Sequence, residues 1–191
     1  MTGRALLSFA ALALTALVSI SAAASTSVYT LSIGYNGAPP GSSGDENALR
    51  YADDDAAAFY QFARDFSRES RLLTVMDPDT QSRFPAEVAV ARAPTLSQLR
   101  AEVQALARLL DEDRKRGDES AVLVLYSGHG VRPRGGAPGL TLLDGVLTHD
   151  ALYDEVLAAL PARYVHLFID ACYAEAIVRP RDASCPIIPL N

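Results

Sequence analysis

Residues 121–130 read "AVLVLYSGHG". Five consecutive apolar residues running into a glycine are too short for a helix and suit a strand covered on both faces. The run delivers His129, one of three histidines in the chain, between Gly128 and Gly130. Glycines in those places let the backbone turn sharply and come close to a second body. A second apolar run, "YVHLFID" (164–170), leads to Cys172, one of two cysteines. It too reads as a strand covered on both faces. Each strand thus hands a reactive side chain to its carboxyl end.

Outward from these two runs, strands and helices alternate. "SVYTLSIG" (27–34) and "RLLTVM" (71–76) read as strands. "DDDAAAFYQFARDF" reads as a helix begun by an aspartate cap, with Ala56, Phe59, Tyr60 and Ala63 on one face. "TLSQLRAEVQALARLLDEDRKRG" carries the clearest helical pattern. Thr95 and Gln98 form a capping-box pair, Leu99, Val103, Leu106 and Leu110 make the apolar stripe, and Gly117 closes the helix. "THDALYDEVLAAL" is a further helix, capped by Thr148 and stopped by Pro161. The stretch 77–94 has no clear period beyond the turn "DPDT", and "RPRGGAPG" reads as a loop. Alternation of this kind predicts an α/β fold built on a sheet of mainly parallel strands.

Composition narrows the function classes. Of 191 residues, 49% are hydrophobic and 21% charged, which is globular, and the length suits one domain. The net charge is −6, with no basic patch interleaved with aromatics, so no nucleic-acid partner is expected. Two cysteines are too few for a disulfide scaffold and lack metal-ligand spacing. Residues 1–24 have the layout of a signal peptide: Arg4, a charge-free run of about 17 residues, and the small-residue exit "AAAS". The apolar run is short for a bilayer span. Cleavage between Ala24 and Ser25 is therefore expected over a retained anchor. It would remove Arg4, take the charge from −6 to −7, and leave residues 25–191 as a secreted or periplasmic domain with no membrane association.

Parallel sheets bind ligands outside the carboxyl ends of their strands. If the strands before His129 and Cys172 are neighbours, their axes lie about 4.8 Å apart, and the two side chains converge over one substrate. A thiol becomes a nucleophile once deprotonated, which a nearby imidazole promotes. The same imidazole can then protonate a departing amine. The backbone amides of Gly130 and Cys172 are candidate donors to the developing oxyanion.

"LYSGHG" followed 43 residues later by the cysteine of "LFIDAC" resembles the caspase and metacaspase group of cysteine peptidases. "LRYADDDAAAF" is similar to the start of that group's first helix. "PTLSQLRAEVQAL" is similar to the helix before the histidine strand, and "LTLLDGVLTHDALYDEVL" to the stretch between histidine and cysteine. The resemblance runs from about residue 28 to 175. It implies a caspase-like, doubly wound sheet with helices on both faces, peptide-bond hydrolysis by a Cys–His dyad, and no cofactor. Cys172 matches the nucleophile, His129 the base and Gly130 the oxyanion-hole glycine. Asp170 stands where caspases have Gln. It matches the metacaspase acid that lines the pocket for Arg or Lys before the scissile bond, and Asp55 matches a second such acid. Carboxylates pair well with a guanidinium, so basic rather than acidic cleavage specificity is expected.

Other readings of these residues are structural. Asp170 can simply end a strand, and Asp53, Asp54 and Asp55 can favour a helix N-terminus through its dipole. Three adjacent acids do not make a calcium loop, so no metal is expected. His149 reads as a surface residue in a helical first turn and His166 as a packed residue in mid-strand. Ser127 is not in a Gly-x-Ser-x-Gly elbow, which argues against a serine hydrolase. Nineteen residues follow Cys172, among them three prolines. The small-subunit portion that follows the cysteine in the resembled group is thus expected to be missing, leaving the fourth strand as a sheet edge open to a partner chain. Cys185 is within reach of a disulfide with Cys172 in an oxidising compartment. The leading expectation is a secreted cysteine endopeptidase acting on a protein or peptide. The alternatives are a non-catalytic caspase-like module that binds a partner protein, and amide hydrolysis of a non-protein substrate by the same dyad.

Overall fold

A computed structural model describes residues 26–42, 48–132 and 136–178. The expected signal peptide, Cys185 with any disulfide it could form, and part of the "RPRGGAPG" loop lie outside the described residues. Four strands form one sheet: β1 (Thr26–Tyr35), β2 (Glu69–Thr74), β3 (Glu119–Gly128) and β7 (Tyr164–Asp170). Their order is β2-β1-β3-β7 and every pairing is parallel. Helix α1 (Ala52–Arg64) covers one face. The main core lies on the other. It joins Leu31 and Ile33 of β1, Val122 and Val124 of β3, and Leu99, Val103, Leu106 and Leu110 of α3 (Leu96–Arg116). The sheet is therefore doubly wound. Its winding reverses beside β1, so the switch-point crevice opens at the carboxyl ends of β1 and β3.

The helices follow from their sequences, with two differences. α3 begins at Thr95, whose side chain accepts from the Gln98 amide at 3.1 Å, and ends at Gly117 in the left-handed conformation. Only half of the capping box forms, because the Gln98 side chain donates to Glu102 Oε1 instead. α1 has no aspartate cap: Tyr51 is its N-cap and makes no side-chain bond. The acids instead occupy the first turn. Asp53 accepts from Asn36 Nδ2 at 2.6 Å and from the Asp77 amide at 2.9 Å, and Asp54 binds Thr80 and Arg83.

Further elements carried little periodic signal. α2 (Pro78–Arg83) is one short helix inside the unpatterned stretch, capped by Asp77, which accepts from the Thr80 amide at 2.8 Å. A small antiparallel sheet, β4 (Gly130–Val131), β5 (Gly139–Leu142) and β6 (Gly145–Thr148), follows β3 directly. Thr148 then caps α4 (His149–Ala151), which runs on as a π-helical turn over Leu152–Leu157.

At the amino-terminal ends of β1 and β3 lies a buried carboxylate, Asp113. It accepts from Tyr29 Oη at 2.7 Å and Ser120 Oγ at 3.0 Å, and pairs with Arg68 and Arg116. Burial pushes its pKa up. The two hydroxyls and two guanidiniums outweigh that and hold it below the usual carboxylate range. Burial and the bond to Asp113 push the Tyr29 phenol up to about 12.

The outer strand β7 departs from expectation. Val165, Leu167 and Ile169 pack against the main core, but Tyr164, His166, Phe168 and Asp170 on the α1 side are exposed. α1 packs on β2, β1 and β3, and towards β7 its Phe59 ring stands 6.1 Å from the Phe168 ring. An apolar composition thus suggested two covered faces where the described residues cover one. For the same reason His166 is exposed rather than packed. His149, expected at the surface, is 7% exposed and stacks on Tyr153 at 4.7 Å.

Candidate active site

β3 ends at Gly128, and His129 is the next residue. β7 ends at Asp170, and Cys172 follows two residues later. Pairing of Ser127 with Asp170 aligns the two carboxyl ends. His129 and Cys172 consequently line one open cleft of about 800 Å³, together with Asp55, Ser127, Asp170 and Arg50. Cys172 is exposed and its thiol is free. His129 is partly buried.

The histidine loop is held from below. Tyr126 Oη donates to the Thr141 carbonyl at 2.7 Å and to the His129 carbonyl at 3.1 Å, and the Thr141 amide donates to the His129 carbonyl at 2.9 Å. Burial raises the Tyr126 pKa, so the phenol keeps the proton it donates. Gly128, at φ +157°, leaves room for that phenol. A Cβ there would lie 2.5 Å from the Tyr126 hydroxyl. Gly130 makes the tightest approach: a Cβ on it would lie 1.8 Å from the Cys172 carbonyl oxygen. The histidine and cysteine loops therefore touch backbone to backbone at this point.

The cysteine loop is fixed from the other side. Tyr173 sits at φ +59°, a left-handed conformation that costs a non-glycine residue about 1 kcal/mol. It turns the chain into α5 (Ala174–Val178), and its carbonyl accepts the amides of Ala176 and Ile177. Ile177 is fully buried in the main core, and Tyr153 Oη donates to the Val178 carbonyl at 2.8 Å. Both loops are thus tied by hydrogen bonds or packing to neighbouring elements.

The three adjacent acids separate in the structure. Asp53 and Asp54 are buried and engaged by protein groups, and Asp55 faces the cleft. Ser127 Oγ donates to Asp55 Oδ2 at 2.9 Å, which ties α1 to the end of β3. Ser127 was legible only as an unsuited nucleophile. Its place at the strand's end, two residues before His129, was the signal for a lining role. Among the described residues, no group of three or more acids, histidines or cysteines could hold a metal ion, and no helix is long and apolar enough to cross a membrane.

A family model described as the caspase domain matches residues 31–186. The chain belongs to the caspase-domain family. The match runs from the middle of β1 past α5, and the parallel sheet with helices on both faces agrees with it. This is a family of cysteine peptidases, whose substrates are proteins. No curated protein matches the chain.

Proposed function

We propose that this caspase-domain chain is a secreted, metacaspase-type cysteine endopeptidase that cleaves after Arg or Lys. The observation that carries the reading is the shared cleft: His129 and Cys172 from adjacent parallel strands, with Asp55 and Asp170 beside them. The leader pattern of residues 1–24 supports export.

The chemistry is nucleophilic. The Cys172 thiolate, balanced by the His129 imidazolium, attacks the carbonyl carbon of the scissile bond. The new S–C bond pushes charge onto the carbonyl oxygen, which the amides of Gly130 and Cys172 stabilise. As the oxygen reforms the carbonyl, the C–N bond breaks and His129 gives its proton to the leaving amine. Neutral His129 then takes a proton from water, and the hydroxide attacks the thioester. The S–C bond breaks, releasing the acid and restoring the thiolate–imidazolium pair. Asp55 and Asp170 offer two carboxylates to a guanidinium or ammonium before the scissile bond.

The test is amide hydrolysis by the chain from Ser25 onward, in reducing buffer, with fluorogenic peptides ending in Arg, Lys or Asp. Cleavage after Arg or Lys that vanishes in Cys172→Ala is expected. Cleavage after Asp would keep the dyad and refute the pocket. No cleavage by a folded chain would favour a second reading, a module that binds a protein partner. That reading has its own observation. β7 is the outermost strand of the described sheet, and its Tyr164 and Phe168 are 49% and 47% exposed. An uncovered edge of this kind invites strand pairing.

A further inference from the structure

The cleft also holds a cation that the proposed chemistry does not use. Arg50 lines it beside Asp55, Ser127, His129, Asp170 and Cys172. Several arginines outside the cleft are engaged: Arg64 pairs with Glu87, Arg68 and Arg116 with Asp113, and Arg83 with Asp54. Arg50 forms no ion pair with any described residue, although two carboxylates share its cleft. A guanidinium plugging the acidic pocket would pair with Asp55 or Asp170.

The backbone that carries Arg50 is fixed rather than adrift. Asn36, just past β1, grips it on both sides. Its carbonyl accepts the Leu49 amide at 2.7 Å, and its side-chain oxygen accepts the Ala52 amide at 2.8 Å. Its Nδ2 is held in turn by Asp53. Arg50 is thus set at the cleft on a braced two-residue span, with its charge paired by no described residue.

We propose that Arg50 is a specificity residue that recognises a substrate carboxylate next to the basic residue at the scissile bond. The preferred substrate is then a peptide in which Arg or Lys has Asp or Glu within two residues on one side. This inference rests on the reading of function above and refines it. The cleft presents negative charge to the basic side chain and positive charge to its neighbour, so a peptide of one sign throughout meets repulsion at one end.

The experiment compares peptides that share one Arg before the scissile bond and carry Asp, its isostere Asn or Lys at each of the two positions on either side. For the wild-type chain, Asp exceeds Asn in kcat/KM at one position by about fivefold, the scale of a partly exposed charge pair. That ratio shrinks in high salt. Arg50→Gln brings it to one while cleavage of the Asn peptide is retained, and Arg50→Glu turns the preference toward Lys at the same position. The side chain is exposed and forms no ion pair with any described residue, so both variants fold. The inference is overturned if Asp and Asn are equivalent everywhere, if the ratio survives in Arg50→Gln, or if Arg50→Gln accelerates all peptides alike. If no peptide is hydrolysed, the reading of function has failed. The same peptides titrated onto the Cys172→Ala chain then decide the inference, which falls if Asp and Asn peptides bind equally.

Discussion

The Gly130 contact permits a quantitative test of how the cleft is built. In Gly130→Ala the new Cβ would lie 1.8 Å from the Cys172 carbonyl oxygen and 2.9 Å from its carbon. Real Cβ atoms stay beyond 3.0 Å, so the separation must grow from 1.8 to 3.0 Å, a shift of about 1.2 Å. Both atoms opposing the methyl group belong to backbone, so no side-chain rotation relieves the clash. The histidine loop is held by Tyr126 and Thr141 and the cysteine loop by α5, so the movement strains both. Overpacking of this kind costs on the order of 2 kcal/mol, or roughly 4–8 °C in Tm for a chain of this size. A misplacement of about 1 Å between reacting groups costs on the order of 100-fold in rate. Expected, then, is a drop of about two decades in kcat/KM on an Arg-ending peptide, with a Tm lowered by several degrees. The control is Gly145→Ala, where the Cβ would meet only the flexible Leu96 Cδ1 at 3.1 Å. Activity and Tm in Gly130→Ala that match the control would refute the tight-contact reasoning.

Three more outcomes follow from the charges and caps. Asp170→Asn should lower kcat/KM for Arg-ending peptides by about tenfold or more, since it removes one of two carboxylates from the cleft, and leave the alkylation rate of Cys172 by iodoacetamide within about threefold. Asp113→Asn should cost on the order of 2–3 kcal/mol at pH 7, read by urea unfolding, because it leaves buried partners poorly matched. The folded pKa of Asp113 lies below its unfolded value of about 3.9, so its contribution is present above that pH and lost as pH falls through the folded value; the gap between wild type and variant should close below about pH 4. Thr95→Ala should cost about 1 kcal/mol by removing the α3 cap, with little change in hydrolysis.

Much of the scaffold was legible because local signals agreed with tertiary demands. α3 has a cap, an apolar stripe and a closing glycine, and each is used. β3 and β7 were recognisable as strands, and their side-by-side pairing brings residues 43 apart in sequence into one cleft. The misses have physical causes. β4, β5 and β6 are two to four residues long, too short to show a period, and exist through pairing with one another. α2 did have a signal, Asp77 followed by Pro78, which reads equally as a turn. Residue composition said that β7 is apolar but not which neighbours lie above it, so His166 is exposed where packing was expected; His149 is buried in α4, where it stacks on Tyr153. Of the three acids after Ala52, only the partners Asn36, Asp77, Thr80 and Arg83 reveal why two turn away from the cleft, and those partners come from distant segments.

The two reactive side chains are not equally secured. His129 follows β3, which is flanked by strands on both sides, whereas Cys172 follows β7, which among the described residues is paired on one side and bare on much of one face. Amide protons of β7 should therefore exchange with solvent through a lower-energy opening than those of β3. Warming would then part thiol from imidazole while the remainder of the sheet is still assembled, and loss of turnover would precede the cooperative melt by several degrees.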